Sequence, residues 1–146
     1  MNPSARVPPT VRLIFACDSV AGDGAGNIVV QNPLTHFQLP AGTTFPFRVG
    51  RLSVYLQLTA GLGTFDIAVE VWRRTGDGSR HFVTTSAVLP GLVFSGPTRM
   101  TPVARGVELR RVRLRAAGEY ELRAVAVTPD GSTPLIGPTA SVEVVG

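Results

Sequence analysis

Lysine is absent from the 146 residues, and all 14 basic side chains are arginine. That excludes a Schiff-base lysine, a phosphate-loop lysine and a lysine general base. The formal charge of +4 is modest, so the isoelectric point of about 10.5 mostly reports arginine's very high pKa. A strong polyanion binder carries more, and nucleic acid is not the expected partner. Cysteine occurs once, at Cys17, so no internal disulfide can form; this suits a reducing compartment and predicts a cytoplasmic protein. No run of about 18 apolar residues occurs, and MNPSARVPP places no apolar segment behind a basic one. Neither membrane insertion nor a secretory leader is expected. Long amphipathic stretches of 3.6-residue period are missing as well.

What is present is glycine (16), proline (12) and many short alternating runs, the pattern of an all-β sandwich or barrel. Residues 1–10 read as a flexible lead-in and residues 11–146 as one domain. The plainest stretch is Arg51 to Arg74, RLSVYLQLTAGLGTFDIAVEVWRR. Its period of two predicts an antiparallel hairpin with Leu58 opposite Phe65, Leu56 opposite Ile67, Val54 opposite Val69 and Leu52 opposite Val71, all facing inward. Further strands are expected at Val11 to Asp18, Ile28 to Gln31, His36 to Leu39, His81 to Leu89, Val107 to Arg115, Glu119 to Val127 and Thr139 to Val145. Pro90 to Gly106 reads as a long connection. In VELRRVRLR, Val107 and Leu109 have one parity and Val112 and Leu114 the other, which predicts a bulge near Arg110 and Arg111.

Gly-x-Tyr entering the Glu119 strand resembles the tyrosine corner of immunoglobulin-like sandwiches, with Leu122 two residues on in the core. Together, FACDSV, the proline-bearing connector, SVYLQLTAGLGTFDIAVEV and GEYELRAVA resemble a widespread bacterial family of uncharacterised immunoglobulin-like β-sandwich domains of unknown function. The likeness spans residues 11 to 145. It implies an immunoglobulin-like antiparallel sandwich of about seven to nine strands, and it implies no activity.

Candidate chemistry is sparse. Cys17 with Asp18, His36 and His81 are the only residues from which a nucleophilic triad can be assembled, and Cys17 sits in the most apolar run, where a free cysteine is usually a small buried hydrophobe. One cysteine and two distant histidines fit no zinc spacing. Asp18, Asp23 and Asn27 around AGDGAGN lack the alternating acids of a calcium loop, and no helix pattern follows GDGAG as a phosphate cradle requires. No metal and no cofactor are expected. Two surface features remain. Arg111, Arg113 and Arg115 share a parity and on a regular strand form a positive stripe about 14 Å long; the competing reading pairs them with Glu119 and Glu121 across a neighbouring strand. On the outer face of the hairpin, Trp72 is expected opposite Arg51 as a cation–π pair with Tyr55 nearby, the composition of an interface core unless the chain's own loops cover it. The functional expectation is a non-catalytic binding or assembly module acting through protein–protein interaction or self-association. The alternative is a small-ligand or glycan-binding sandwich, with an enzyme third.

Overall fold

The computed structural model describes residues 6–22, 28–95 and 100–146. Among them are eleven strands: β1 (Thr10–Gly22), β2 (Ile28–Leu34), β3 (His36–Gln38), β4 (Phe47–Thr59), β5 (Gly63–Arg74), β6 (Arg80–Thr85), β7 (Leu89–Phe94), β8 (Val103–Leu114), β9 (Gly118–Thr128), β10 (Gly131–Pro134) and β11 (Ala140–Val145). They form a β-sandwich. One sheet has the order β2-β1-β4-β8; the other has β3-β11-β9-β5-β6, with β7 also on β5 and β10 on β9. The count exceeds the expected seven to nine because β10 and the split edge β6/β7 add short strands. Pairing is antiparallel except that β3 runs parallel to β11.

The expected hairpin from Arg51 to Arg74 does not form. β4 pairs with β1 and β8, whereas β5 pairs with β9, β6 and β7, so the chain leaves one sheet at Thr59 and enters the other at Gly63. The inward residues are nevertheless those expected: Val54, Leu56, Leu58, Phe65, Ile67, Val69 and Val71 are all buried in one core, with Leu52 packed against it. Alternation fixes which face a strand buries. It does not distinguish two strands side by side from two strands facing each other across a sandwich.

The phase change in β8 lies where expected. Val107, Leu109, Val112 and Leu114 are all buried, and Arg111 between them takes a left-handed φ of 56°. No extra residue is inserted, however: the register is the same on both sides, with Leu109 opposite Leu52 and Val112 opposite Val49. β4 changes phase at the same level, from buried Val49 to Val54, so the two strands turn over together. The connection read from Pro90 to Gly106 contains β7 and the start of β8, and the strand read as His81 to Leu89 ends at Thr85. The AGDGAGN segment joins β1 to β2 as a hairpin, with Gly22 opposite Ile28; Asp23 to Asn27 lie outside the described residues. Of the lead-in, residues 1–5 are likewise outside them. Val7 bridges Leu62 through both backbone groups, and the Arg6 guanidinium donates to the Thr64 carbonyl at 2.6 Å.

Two glycines mark where backbones approach side chains closely. A Cβ on Gly106 would lie 2.6 Å from Val20 Cβ, and Gly137, at φ +128°, has the Val11 carbonyl oxygen where its Cβ would go. Gly137→Ala is expected to destabilise by about 3 kcal/mol, combining strain with a clash against rigid backbone. Gly106→Ala should cost about 1–3 kcal/mol because Val20 can shift. Gly50 has open space around it, so Gly50→Ala should be neutral or stabilising by up to about 1 kcal/mol. Urea unfolding of the three variants measures the order.

Candidate functional site

Arg51, Tyr55 and Trp72 do not share a face. Arg51 and Tyr55 lie on β4, Trp72 on β5 in the other sheet. Arg51 stands opposite Arg110 and reaches Glu108 at 3.9 Å; Glu108 also accepts from Arg110 Nε at 2.8 Å, and that bond is the main reason its carboxyl stays below its ordinary pKa. Tyr55 stacks on Phe15, ring centroids 5.1 Å apart, and its hydroxyl accepts from Gln57 Nε2 at 2.6 Å. Each aromatic is half-buried against neighbours on its own sheet, Tyr55 on Phe15 and Trp72 on Phe82.

Trp72 sits in a polar network on the outside of its sheet. Its Nε1 donates to Glu70 at 3.2 Å, Phe82 meets it edge-on at 5.3 Å, and the guanidiniums of Arg123 and Arg80 lie 5.3 Å and 5.9 Å from its ring centroid. The cation–π partners are therefore Arg123 and Arg80 in place of Arg51. Arg123 also donates to Glu70 at 3.2 Å, while its buried Nε has no hydrogen-bond partner. Ser132 closes the group on the other Glu70 oxygen at 3.0 Å. Beside it, Glu121 is buried on the outer face of the sheet because Arg74 and Arg80 both bridge it, Arg80 at 3.1 Å. The expected pairing of Glu119 and Glu121 with the β8 arginines is thus replaced: β9 lies in the other sheet, and its acids take Arg74 and Arg80.

Of the basic residues on and just after β8, only Arg110 has a carboxylate partner among the described residues, Glu108. Arg105, Arg111, Arg113 and Arg115 form no ion pair among the described residues, nor do Arg48 and Arg73. Arg48 stands directly opposite Arg113, a like-charge cross-strand pair. Arg113 and Arg115 meet Arg73 of β5 and His81 of β6 around a cleft of about 210 Å³, walled by Phe82 and Val83 and floored by Tyr120. Arg111 is exposed but outside this cleft; its left-handed backbone interrupts the stripe expected from parity. Parity located Arg113 and Arg115. Arg73 and His81 come from distant strands of the opposite sheet, and no local signal marked them.

The Tyr120 hydroxyl donates to the Ala116 carbonyl at 2.6 Å, and Leu122 is buried. Burial pushes the Tyr120 phenol above its ordinary pKa. Cys17 is fully buried in β1, its thiol 3.7 Å from the Ser53 carbonyl, and desolvation, with Asp18 adding, raises its pKa. His36 and His81 are exposed on strands of the other sheet, whereas Cys17 and Asp18 lie on β1 with the thiol buried, so these four residues are not brought together as a triad. Among the described residues no three His, Cys, Asp or Glu side chains are grouped to hold a metal ion, and no helix is long and apolar enough to cross a membrane. No family model and no curated protein matches the chain.

Trp72→Ala should lower stability by about 2 kcal/mol, since it removes a half-buried indole and unseats Glu70 and Arg123, whereas Tyr120→Phe should cost about 1 kcal/mol for one hydrogen bond. Chemical denaturation gives both values. A thiol reagent should modify Cys17 in the native protein only at the rate of unfolding, and rapidly in urea; stoichiometric labelling within seconds of mixing under native conditions would contradict its burial.

Proposed function

We propose that this chain is a non-catalytic binding module, built as an immunoglobulin-like sandwich, that docks an acidic protein partner on the flank formed by β8 and β6. The architectural part is supported by strand order, since β1-β4-β8 facing β11-β9-β5 corresponds to A-B-E facing G-F-C, and by the Tyr120 corner. The likeness to the uncharacterised bacterial domains belongs to the same proposal. A buried, unpaired Cys17 agrees with a reducing, cytoplasmic setting.

The observation that carries the docking reading is the sorting of charge. Glu70, Glu108, Glu119 and Glu121 take Arg51, Arg74, Arg80, Arg110 and Arg123, while Arg48, Arg73, Arg105, Arg111, Arg113 and Arg115 form no ion pair among the described residues. Among the described residues β8 pairs on one side only, with β4, so its other edge offers backbone groups beside those guanidiniums. An extended acidic segment complements both. Self-association is the second reading, favoured by the cross-strand neighbours Glu119 and Glu143 on the β9–β11 side, which offer a second copy an acidic counterpart to this flank. A glycan site is less well supported: the hollows of about 590 and 480 Å³ contain no aromatic side chain, and the 210 Å³ cleft is below the usual 300–1,000 Å³ of ligand pockets.

A glutamate-rich peptide should bind the protein at low salt, weaken as salt rises, and lose about tenfold or more in affinity to the Arg48→Glu/Arg113→Glu variant, read by fluorescence anisotropy. No binding, or binding indifferent to the reversal, overturns the reading. Tighter salt-sensitive binding of duplex DNA transfers it to nucleic acid. Sedimentation equilibrium at high concentration decides self-association.

A further inference from the structure

We infer that the cleft between β6 and β8 is a receptor for a phosphate-monoester dianion, with Arg73, Arg113 and Arg115 as its guanidinium donors. This rests on the reading of the flank as a binding face and narrows it to one chemical group at one place.

The cleft brings together nitrogen-bearing side chains from three strands and both sheets: Arg73 from β5, His81 from β6, Arg113 from β8 and Arg115 just after it. Among the described residues no carboxylate lines it. Tyr120 contributes no hydroxyl donor to an incoming ligand, because its proton is already given to Ala116 at 2.6 Å. The hydrogen-bond donors left to a ligand are thus guanidinium and imidazole groups. Phe82 and Val83 form an apolar wall, which lowers the local dielectric and strengthens charge-assisted hydrogen bonds to whatever enters.

The number of donors selects the ligand. A carboxylate carries one charge and two oxygens, which one guanidinium fork already satisfies. Three guanidiniums around a small concavity call for more charge and more acceptor oxygens, and a phosphate monoester supplies close to two charges and three acceptor oxygens. The cleft volume of about 210 Å³ suits a headgroup and excludes a nucleotide-sized or drug-sized molecule from full enclosure. The group can arrive as free phosphate or on a phosphorylated side chain, and the chemistry of recognition is common to both.

The full-length chain, ¹⁵N-labelled, is titrated with inorganic phosphate, with a phosphoserine peptide and with its unphosphorylated form, at constant ionic strength set by chloride. The expected result is saturable shifts of amides at Arg73, His81 and Arg113 to Arg115 with both phosphate probes and none with the unphosphorylated peptide. Arg73→Gln and Arg113→Gln should each weaken binding about tenfold or more, the scale of one charge-assisted hydrogen bond, while Arg12→Gln on β1 leaves it unchanged. Each variant is first checked for an unchanged melting temperature. Tighter binding of the phosphopeptide than of free phosphate assigns the source as a phosphorylated partner; the reverse order assigns a free anion. Shifts that never saturate, that chloride reproduces, or that scatter over arginines outside the cleft overturn the inference. If phosphate fails while a glutamate-rich peptide still binds with Arg48 and Arg113 dependence, the docking reading stands and the dianion receptor falls.

Discussion

The structure depends on two central strands that do not touch edge to edge. β4 and β5 each sit in the middle of a different sheet and turn Val54, Leu56, Leu58 and Ile67, Val69, Val71 toward a shared core. Each such side chain contributes roughly 1.5–3 kcal/mol when fully buried. β1 and β8 flank β4, β9 with β6 and β7 flank β5, and the remaining strands attach to these: β2 to β1, β10 and β11 to β9, and β3 to β11. A hairpin would bury the same residues, but only against one further layer of chain. Separating the strands gives β4 ladder partners on both edges from Ser53 to Leu58 and β5 ladder partners on both edges from Glu70 to Arg74.

That constraint explains which parts of the fold were legible in the sequence. Burial was legible, because alternation at Leu52 to Leu58 and Phe65 to Val71 reports a face and the face was right. Pairing was not, because the three residues between Thr59 and Gly63 serve a tight hairpin and a crossing between sheets equally well. Where a second parity signal existed, more could be read: the phase change at Arg110 and Arg111 was visible because Val112 and Leu114 had to be rescued from solvent. Its mechanism was invisible, since a single strand does not reveal that β4 turns over at the same level. The Tyr120 corner was legible because its hydrogen bond is local, closing over four residues to Ala116.

Functional surfaces followed the same division. Trp72 looked available because the sequence placed it opposite Arg51 on an open face. In the fold it is held between Phe82, Arg123 and Arg80 and tied to Glu70, so its exposed part is the edge of a structural network. Arg113 and Arg115 were recognised by parity, but the acids expected to neutralise them, Glu119 and Glu121, follow β9 into the other sheet. Once β8 and β9 separate, the charges separate with them. The positive flank is a consequence of topology acting on a nearly balanced sequence, which is why a net charge of only +4 gave little hint of it.

Protection of an open edge accounts for part of this flank and no more. A strand edge is guarded by one or two charges pointing into the space a neighbour would occupy, and Arg105 and Arg111 are exposed charges on the edge strand β8. Arg73 and His81 guard no part of that edge; they approach Arg113 and Arg115 from the opposite sheet, and Arg48 stands directly across from Arg113. Like charges in such positions are each unfavourable by about 0.2–1 kcal/mol relative to neutral pairs, and salt only partly screens them at the mouth of a cleft. A fold that merely needed solubility has many exposed positions where arginine would cost less. Under the proposed reading, an anion seated among these side chains would offset that repulsion, which is the physical reason this flank and not another carries the proposal.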